Sequence, residues 1–411
     1  MASFIFAGGR FLDPRCDDLR DGMEVLVEDN LIKEVSDQPI TAPNAQRIAI
    51  GNRTLMPGLI DAHIHVMLTE VNLRLLADVP LTLLTAQGSV QMRAMLERGF
   101  TTLRDTGGAD WGLKAAVEQG LFVGPRLFIA GQPISQTGGH ADHRLRTQAG
   151  ASFCACCSGL SWVGRVADGV PEVVKATRDE LRKGADHIKI MVSGGVASQA
   201  DPLESLQYRV DEIEAAVDEA TRWGNYVCAH AYSAKAIERA VRAGVRSIEH
   251  GNLVDTPTAR LMAERGAYLV PTLAAYDALK RRGADYGLSS YSLAKNEIVL
   301  AAGLRSLEIC RAAGVKIGFG SDLLGQLQND HCTEFMLRAA VMSPQEIIRS
   351  ATLVNAEIVR QVGKLGEIVP GAFADLLVVD GNPYHDLSVF RSDGGRLDVI
   401  MANGRFVRNR L

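Results

Sequence analysis

Residues 211–250 read DEIEAAVDEATRWGNYVCAHAYSAKAIERAVRAGVRSIEH, and the plan of the chain is visible in them twice. From Asp211 to Trp223 the apolar residues recur at three- and four-residue spacing, the pattern of an amphipathic helix. Gly224 follows as a left-handed stop, and a short β-branched strand, YVCAH, comes next. The second pass ends at Gly244 and VRSIEH. The same order extends outward in ERGFTTLRD, RKGADHIKI, ERGAYLVPT and RAAGVKIGFG, with Gly99, Gly184, Gly266 and Gly314 at the stops. With GLIDAHIHV and PRLFIAG added, candidate strands start near Ile60, Thr102, Leu127, Ile188, Val227, Ser247, Leu269 and Lys316. Strands that alternate with helices pair in parallel, and eight such units predict an α/β fold, a closed (β/α)8 TIM barrel. An open doubly wound sheet is the competing arrangement, but no GxGxxG follows the early strands to support it.

The two ends break this rhythm. Residues 1–57 and 366–411 carry short strands, such as MEVLVEDNLIKEV and GAFADLLVVDGN, separated by Gly, Asn, Asp and Pro turns. They predict a small β-sandwich domain formed by both termini, leaving residues 58–365 for the barrel. Residues 132–170 are the longest stretch without periodicity and form a candidate lid. It contains Cys154, Cys156 and Cys157, three thiols without an obvious fourth ligand, which read as lid packing, as does Trp162.

At 411 residues, with 47% apolar and 22% charged residues, the chain can bury a sizeable core. Lys plus Arg number 44 against 48 acidic residues, a net charge of −4 without a polybasic run, so neither nucleic acid nor an anionic membrane is expected as partner. The opening MASFIFAGGRFLDP lacks the basic start of a secretory signal, and no window approaches the ~18 apolar residues of a membrane span. Seven cysteines without an export signal read as reduced thiols, which predicts a cytoplasmic setting.

Chemistry gathers at predicted strand ends. His63 and His65 close the first strand and, being two apart, face one side. His230 closes YVCAH, His250 closes SIEH, and Asp322 closes KIGFGSD. Four of the nine histidines and one aspartate therefore reach the carboxyl-end rim, where barrel enzymes carry their active sites. Imidazole and carboxylate are ligands preferred by zinc and similar ions. A set of hydrogen-bonded core histidines is the plainer account of the same residues. Lys189, in HIKIMVSGG, faces the interior, where burial would push an ammonium toward the reactive neutral amine.

This constellation resembles the binuclear-metal branch of the amidohydrolase superfamily, in GLIDAHIHV, the HIKIMVSGG lysine, the His230 and His250 strand ends and the GFGSD aspartate. The resemblance covers nearly the whole chain and implies two divalent metal ions, with zinc the first expectation. His63, His65 and Asp322 would bind one, His230 and His250 the other, and carboxylated Lys189 would bridge them. It further implies that a water shared by the metals attacks an amide carbonyl, with Asp322 as acid/base passing the proton to the leaving nitrogen. The single-metal deaminase branch is disfavoured, because the position three after His230 is Ser233 rather than a glutamate.

Narrower matches lie in SQTGGHAD with His140, the CACC run, SGGVASQADP and AHAY with Tyr232. They resemble the subgroup of dipeptidases and carboxypeptidase-like enzymes that act on Xaa-Pro or Xaa-Arg/Lys dipeptides, N-acyl amino acids and ochratoxin A, an acylated phenylalanine. By this resemblance His140 would polarise the carbonyl or stabilise the oxyanion, and Tyr232 would contact the substrate carboxylate or the intermediate. The expected partner is a small dipeptide or N-acyl amino acid, Xaa-Pro favoured, and a homo-oligomer stays open. Asp142, Asp201 and Glu204 lie in loops that could reach the site and read as ordinary solvated carboxylates. A lactonase and a non-catalytic scaffold are the remaining readings.

Overall fold

The computed structural model describes residues 3–144, 163–198 and 201–411. Parallel ladders join Leu59–Ile64 to Phe100–Asp105 and the latter to Arg126–Ile129. A second run passes from Ile188–Met191 through Val227–Ser233 and Ser247–Leu253 to Tyr268–Val270. Backbone hydrogen bonds carry the ring across its seams, from Asp186 N to Ile129 O at 2.8 Å, Gly318 N to Leu269 O at 2.8 Å and Ala62 N to Phe319 O at 2.8 Å. The result is the (β/α)8 barrel, with one difference from expectation. The eighth strand, predicted near Lys316, is reduced to a bridge between Ile317 and Leu269. Glycines explain this: a Cβ on Gly318 would stand 2.6 Å from Asn355 Oδ1, and one on Gly320 would stand 2.8 Å from His63 Cβ. Close approach of this segment to its neighbours takes the place of a regular ladder.

The helices form where the sequence asks for them. In Ala234–Arg242 the buried residues are Ala236, Ile237, Ala240 and Val241, a single stripe facing the barrel, and the Ser233 hydroxyl accepts from Ala236 N at the start. Val210–Arg222 matches the helix read between Asp211 and Trp223.

Two sheets from both ends of the chain make the sandwich. One orders Leu31–Ser36, Glu24–Glu28, Ser3–Ala7 and Gln46–Ala49; in the other, Leu376–Val379 lies between Thr54–Pro57 and Leu397–Ala402. Leu376–Val379 is buried on both faces. Leu376 and Val378 join Phe6, Val25 and Leu55 in the sandwich core, whereas Leu377 and Val379 join the barrel core. This double burial accounts for the unbroken apolar run LLVV.

Segment 132–170 is not irregular throughout. Ile134–Ser135 pairs in parallel with Arg165–Val166, and Ile134 also pairs with Ile190 of the fourth barrel strand, Ile188–Met191. Cys154, Cys156, Cys157 and Trp162 lie outside the described residues. Among the described residues Cys16, Cys228, Cys310 and Cys332 are free thiols, and no helix is long and apolar enough to cross a membrane.

Candidate metal centre

The strand ends converge on one cleft, open to solvent at its mouth and lined by His63, His65, His140, Lys189, His230, Tyr232, His250 and Asp322. His63 Nδ1 is 2.6 Å from Glu249 Oε2, and His65 Nδ1 is 2.7 Å from the Gly107 carbonyl. Each ring therefore keeps Nε2 for the cleft, where Asp322 Oδ1 lies 3.5 Å from His63 Nε2 and 3.2 Å from His65 Nε2. The His250 ring centroid is 4.9 Å from that of His63 and 4.6 Å from that of His230. His63, His250 and Asp322 offer ligand atoms within 4.8 Å of one another. Lys189 is 2% exposed, and its Nζ forms no hydrogen bond or ion pair among the described residues.

Electrostatics agree with a cation site. Burial holds the His230 and His250 imidazoles well below their ordinary range and lowers the Lys189 ammonium. Burial opposes ionisation of Asp322, yet His63 and His65 beside it hold the carboxyl well below the usual carboxylate range. The neutral imidazoles of His230 and His250, an ionised carboxylate and an amine tending to neutrality are protonation states that ligation of a dication demands, whereas His65, raised by Asp322, has a proton to lose first. This donor set fits a metal; a merely structural cluster would leave the buried Lys189 amine without a partner.

Backbone geometry explains how so many donors share one rim. His250 has φ 75° and Asp322 φ 51°, left-handed conformations that non-glycine residues seldom adopt. On a regular strand Glu249 and His250 would point to opposite sides. With His250 left-handed, both turn inward, and Glu249 reaches His63. Glu249 is itself gripped by Arg104, whose guanidinium donates to Glu249 Oε1 at 2.7 Å and to Ser247 Oγ at 3.0 Å, all three being buried. Strand alternation conceals this buried layer from sequence reasoning.

His140 lies flat against His230, with centroids 4.3 Å apart and planes at 15°. Asp201, expected to be solvated, is instead 2% exposed with Oδ2 3.2 Å from His140 Nδ1. Asp142 pairs with Arg144, and Glu204 is exposed, so neither reaches the ligand cluster. Tyr232 Oη is 3.0 Å from Tyr276 Oη, a residue without a sequence signal. Leu68, Leu73, Val196, Leu279, Leu323, Leu324 and Leu327 complete an apolar wall, and Asp322 is the one carboxylate among the described lining residues.

A sequence profile described as the Amidohydrolase family matches residues 54–407. Ochratoxinase of Aspergillus niger is 31% identical over 349 residues, covering 82% of this chain and 72% of the relative. A crystal structure of an amidohydrolase superposes over 100% of both chains with TM-score 0.97 and 53% identity. That of a prolidase complexed with N-methylphosphonate-L-proline covers 99% of this chain and 100% of its own, with TM-score 0.96 and 48% identity. With the barrel, the appended sandwich and the convergent donors in place, this chain belongs to the amidohydrolase family.

Proposed function

We propose that this hydrolase is metal-dependent and cleaves the amide of small substrates ending in a free carboxylate, with Xaa-Pro dipeptides and N-acyl-prolines preferred. The observation that carries the reading is the 48% identity, along 99% of the chain, to a prolidase complexed with a phosphonate on proline nitrogen. A tetrahedral phosphorus there has the shape that an N-acyl-proline carbonyl takes on during hydrolysis.

His63, His65 and Asp322 would hold one divalent ion, His230 and His250 a second, and Lys189 as a carbamate would join both; zinc suits this nitrogen-rich set. Such ions supply Lewis acidity that activates water and polarises the carbonyl. The remaining work belongs to the protein. Carbamate formation starts from the neutral amine that burial of Lys189 favours, adding carbon dioxide and releasing a proton. Asp322 takes the proton of the attacking water on a carboxylate oxygen and delivers it to the leaving nitrogen. His140, with Nδ1 on Asp201, donates from Nε2 to the substrate carbonyl oxygen in its doubly protonated form, and Tyr232 donates to the substrate carboxylate.

The apolar wall favours an apolar residue on the acyl side and supports a second reading, hydrolysis of N-acyl-phenylalanine amides such as ochratoxin A. An Arg or Lys side chain would find no free carboxylate among the described lining residues. Zinc-loaded protein assayed on N-acetyl-proline, Leu-Pro, ochratoxin A, Leu-Arg and a γ-lactone tests the proposal. Highest kcat/KM on the proline substrates is expected. Preference for ochratoxin A selects the second reading, and turnover of the lactone alone overturns both.

A further inference from the structure

We propose that Thr272 and Tyr276 are positioning residues that aim the hydroxyl hydrogen of Tyr232 into the cleft, through a one-way hydrogen-bond chain that begins at His250. The inference rests on the metal-hydrolase reading in one respect, that His250 offers Nε2 to an ion.

The chain has three links. His250 Nδ1 is 2.8 Å from Thr272 Oγ1, Thr272 Oγ1 is 3.1 Å from Tyr276 Oη, and Tyr276 Oη is 3.0 Å from Tyr232 Oη. An imidazole that gives its Nε2 lone pair to a cation carries its hydrogen on Nδ1. Thr272 Oγ1 must then accept from His250. A hydroxyl has one hydrogen, so Thr272 spends its own on Tyr276 Oη; Tyr276, which also lines the cleft, is assigned to spend its own on Tyr232 Oη, the partner 3.0 Å away. With Tyr276 as the donor of that bond, Tyr232 cannot donate back. Its hydrogen is left for the cleft that its side chain lines. The reverse direction would place a bare Nδ1 on His250 and a hydrogen on Nε2, which excludes ligation there.

The helix start leaves the Thr272 hydroxyl free for this chain. Thr272 occupies the N-cap position of Leu273–Arg282, where a threonine normally accepts from the first turn of the helix, yet it makes no side-chain capping bond. The amide of Ala274 is satisfied by Glu334 Oε2 at 2.6 Å instead. Tyr276 is fixed as well, for Asn296 Nδ2 donates to its carbonyl at 2.9 Å. Both Thr272 and Tyr276 are buried, so water is a poor substitute for either link.

The chemical consequence is a donor whose direction is set before substrate arrives. A Tyr232 hydroxyl free to rotate would present a lone pair to an anionic group part of the time; a polarised one presents its hydrogen. A carboxylate or oxyanion at this position gains, and a neutral group gains less.

Neutron diffraction from zinc-loaded, deuterated crystals reads the chain directly and needs no substrate. The expected map shows deuterium on His250 Nδ1, on Thr272 toward Tyr276, on Tyr276 toward Tyr232 and on Tyr232 toward the cleft. Deuterium on Tyr232 directed at Tyr276 overturns the proposal, whatever the enzyme hydrolyses. Calorimetric titration of zinc-loaded variants with N-methylphosphonate-L-proline reads the consequence. Tyr276→Phe should weaken binding about 3- to 10-fold, the usual worth of one such hydrogen bond. In a Tyr232→Phe background the same substitution should cost nothing further. Thr272→Ser should retain binding that Thr272→Val loses, at equal zinc content and thermal midpoint. Losses that multiply in the double variant would mark Tyr276 as merely structural and overturn the assignment. Wild type that binds zinc with the expected deuterium pattern but ignores the phosphonate would refute the substrate reading and leave the chain standing.

Discussion

Asp201 Oδ2 stands 3.2 Å from His140 Nδ1, and the same oxygen accepts from Gly195 N at 3.0 Å and Gln207 Nε2 at 3.2 Å. Burial opposes its ionisation, but the neighbouring His140 holds the carboxyl below the usual carboxylate range. Lys295 Nζ secures the surrounding loop by donating to the carbonyls of Gly195, Ser198 and Asp201. Gly195 is so close that a Cβ there would stand 2.0 Å from His140 Cε1. Misplacement of a reacting group by about 1 Å costs on the order of 100-fold in rate. Asp201→Ala and Gly195→Ala should each lower kcat by about that factor, and neither should add to the loss in His140→Gln. Steady-state kinetics on the three single and two double variants decide it; independent, multiplying losses refute the idea that both residues act through His140.

Substitution of Asp322, the proposed proton carrier and ligand, tests its role once metal content is matched to wild type. Asp322→Asn keeps the shape of the side chain but cannot take up the proton, so kcat should drop by about 100- to 10,000-fold with circular dichroism unchanged. Substantial amide hydrolysis by the folded variant contradicts the role assigned to Asp322.

The layer beneath the ligands should govern metal retention. Glu249→Gln removes the charge that Arg104 and His63 share within the barrel. An uncompensated buried guanidinium costs about 3–5 kcal/mol, and loss of a carboxylate partner to a ligating histidine weakens metal binding by about 10- to 100-fold. Thermal midpoints and competition against a chelator measure the two effects separately. Wild-type values for both would show the layer to be inert.

Metal affinity should depend on pH through His65. Burial pulls its pKa down, but the Asp322 carboxylate at 3.2 Å outweighs this and holds the imidazole above its ordinary value. An ion must displace that proton. Affinity should therefore rise about tenfold per pH unit while His65 is protonated and level off above its pKa. Chelator competition over about pH 6 to 9 tests this, and a flat profile would exclude His65 as a ligand.

The apolar wall should appear in substrate preference. Each methylene buried against Leu279, Leu324 and their neighbours contributes about 0.8 kcal/mol, so kcat/KM should climb from Ala-Pro to Leu-Pro. Equal values across that series would place the acyl side chain in solvent.

Much of the fold was legible because barrel strands announce themselves in sequence, and the candidate donors His63, His65, His230 and His250 lie in or just past such strands, with Asp322 after the segment read as the eighth. What escaped does so for physical reasons. Glu249 is hidden because alternation assigns adjacent residues to opposite faces, and nothing in SIEHG announces that His250 turns left-handed. Asp201 looks like any loop carboxylate until folding brings it to His140. Tyr276 sits in a helix among ordinary apolar residues, and its partners are remote in sequence. The eighth strand reads as regular, whereas the close approach of Gly318 and Gly320 to their neighbours replaces its ladder.

The pairing of Thr54–Pro57 with Leu376–Val379 has a consequence for biosynthesis. A ribosome releases the first of these segments long before the second, so Thr54–Pro57 waits without this neighbour while the rest of the polypeptide is made. The barrel ring itself cannot close before Phe319 reaches Ala62, and the sheet beside it gains its central strand only when Leu376–Val379 has been made.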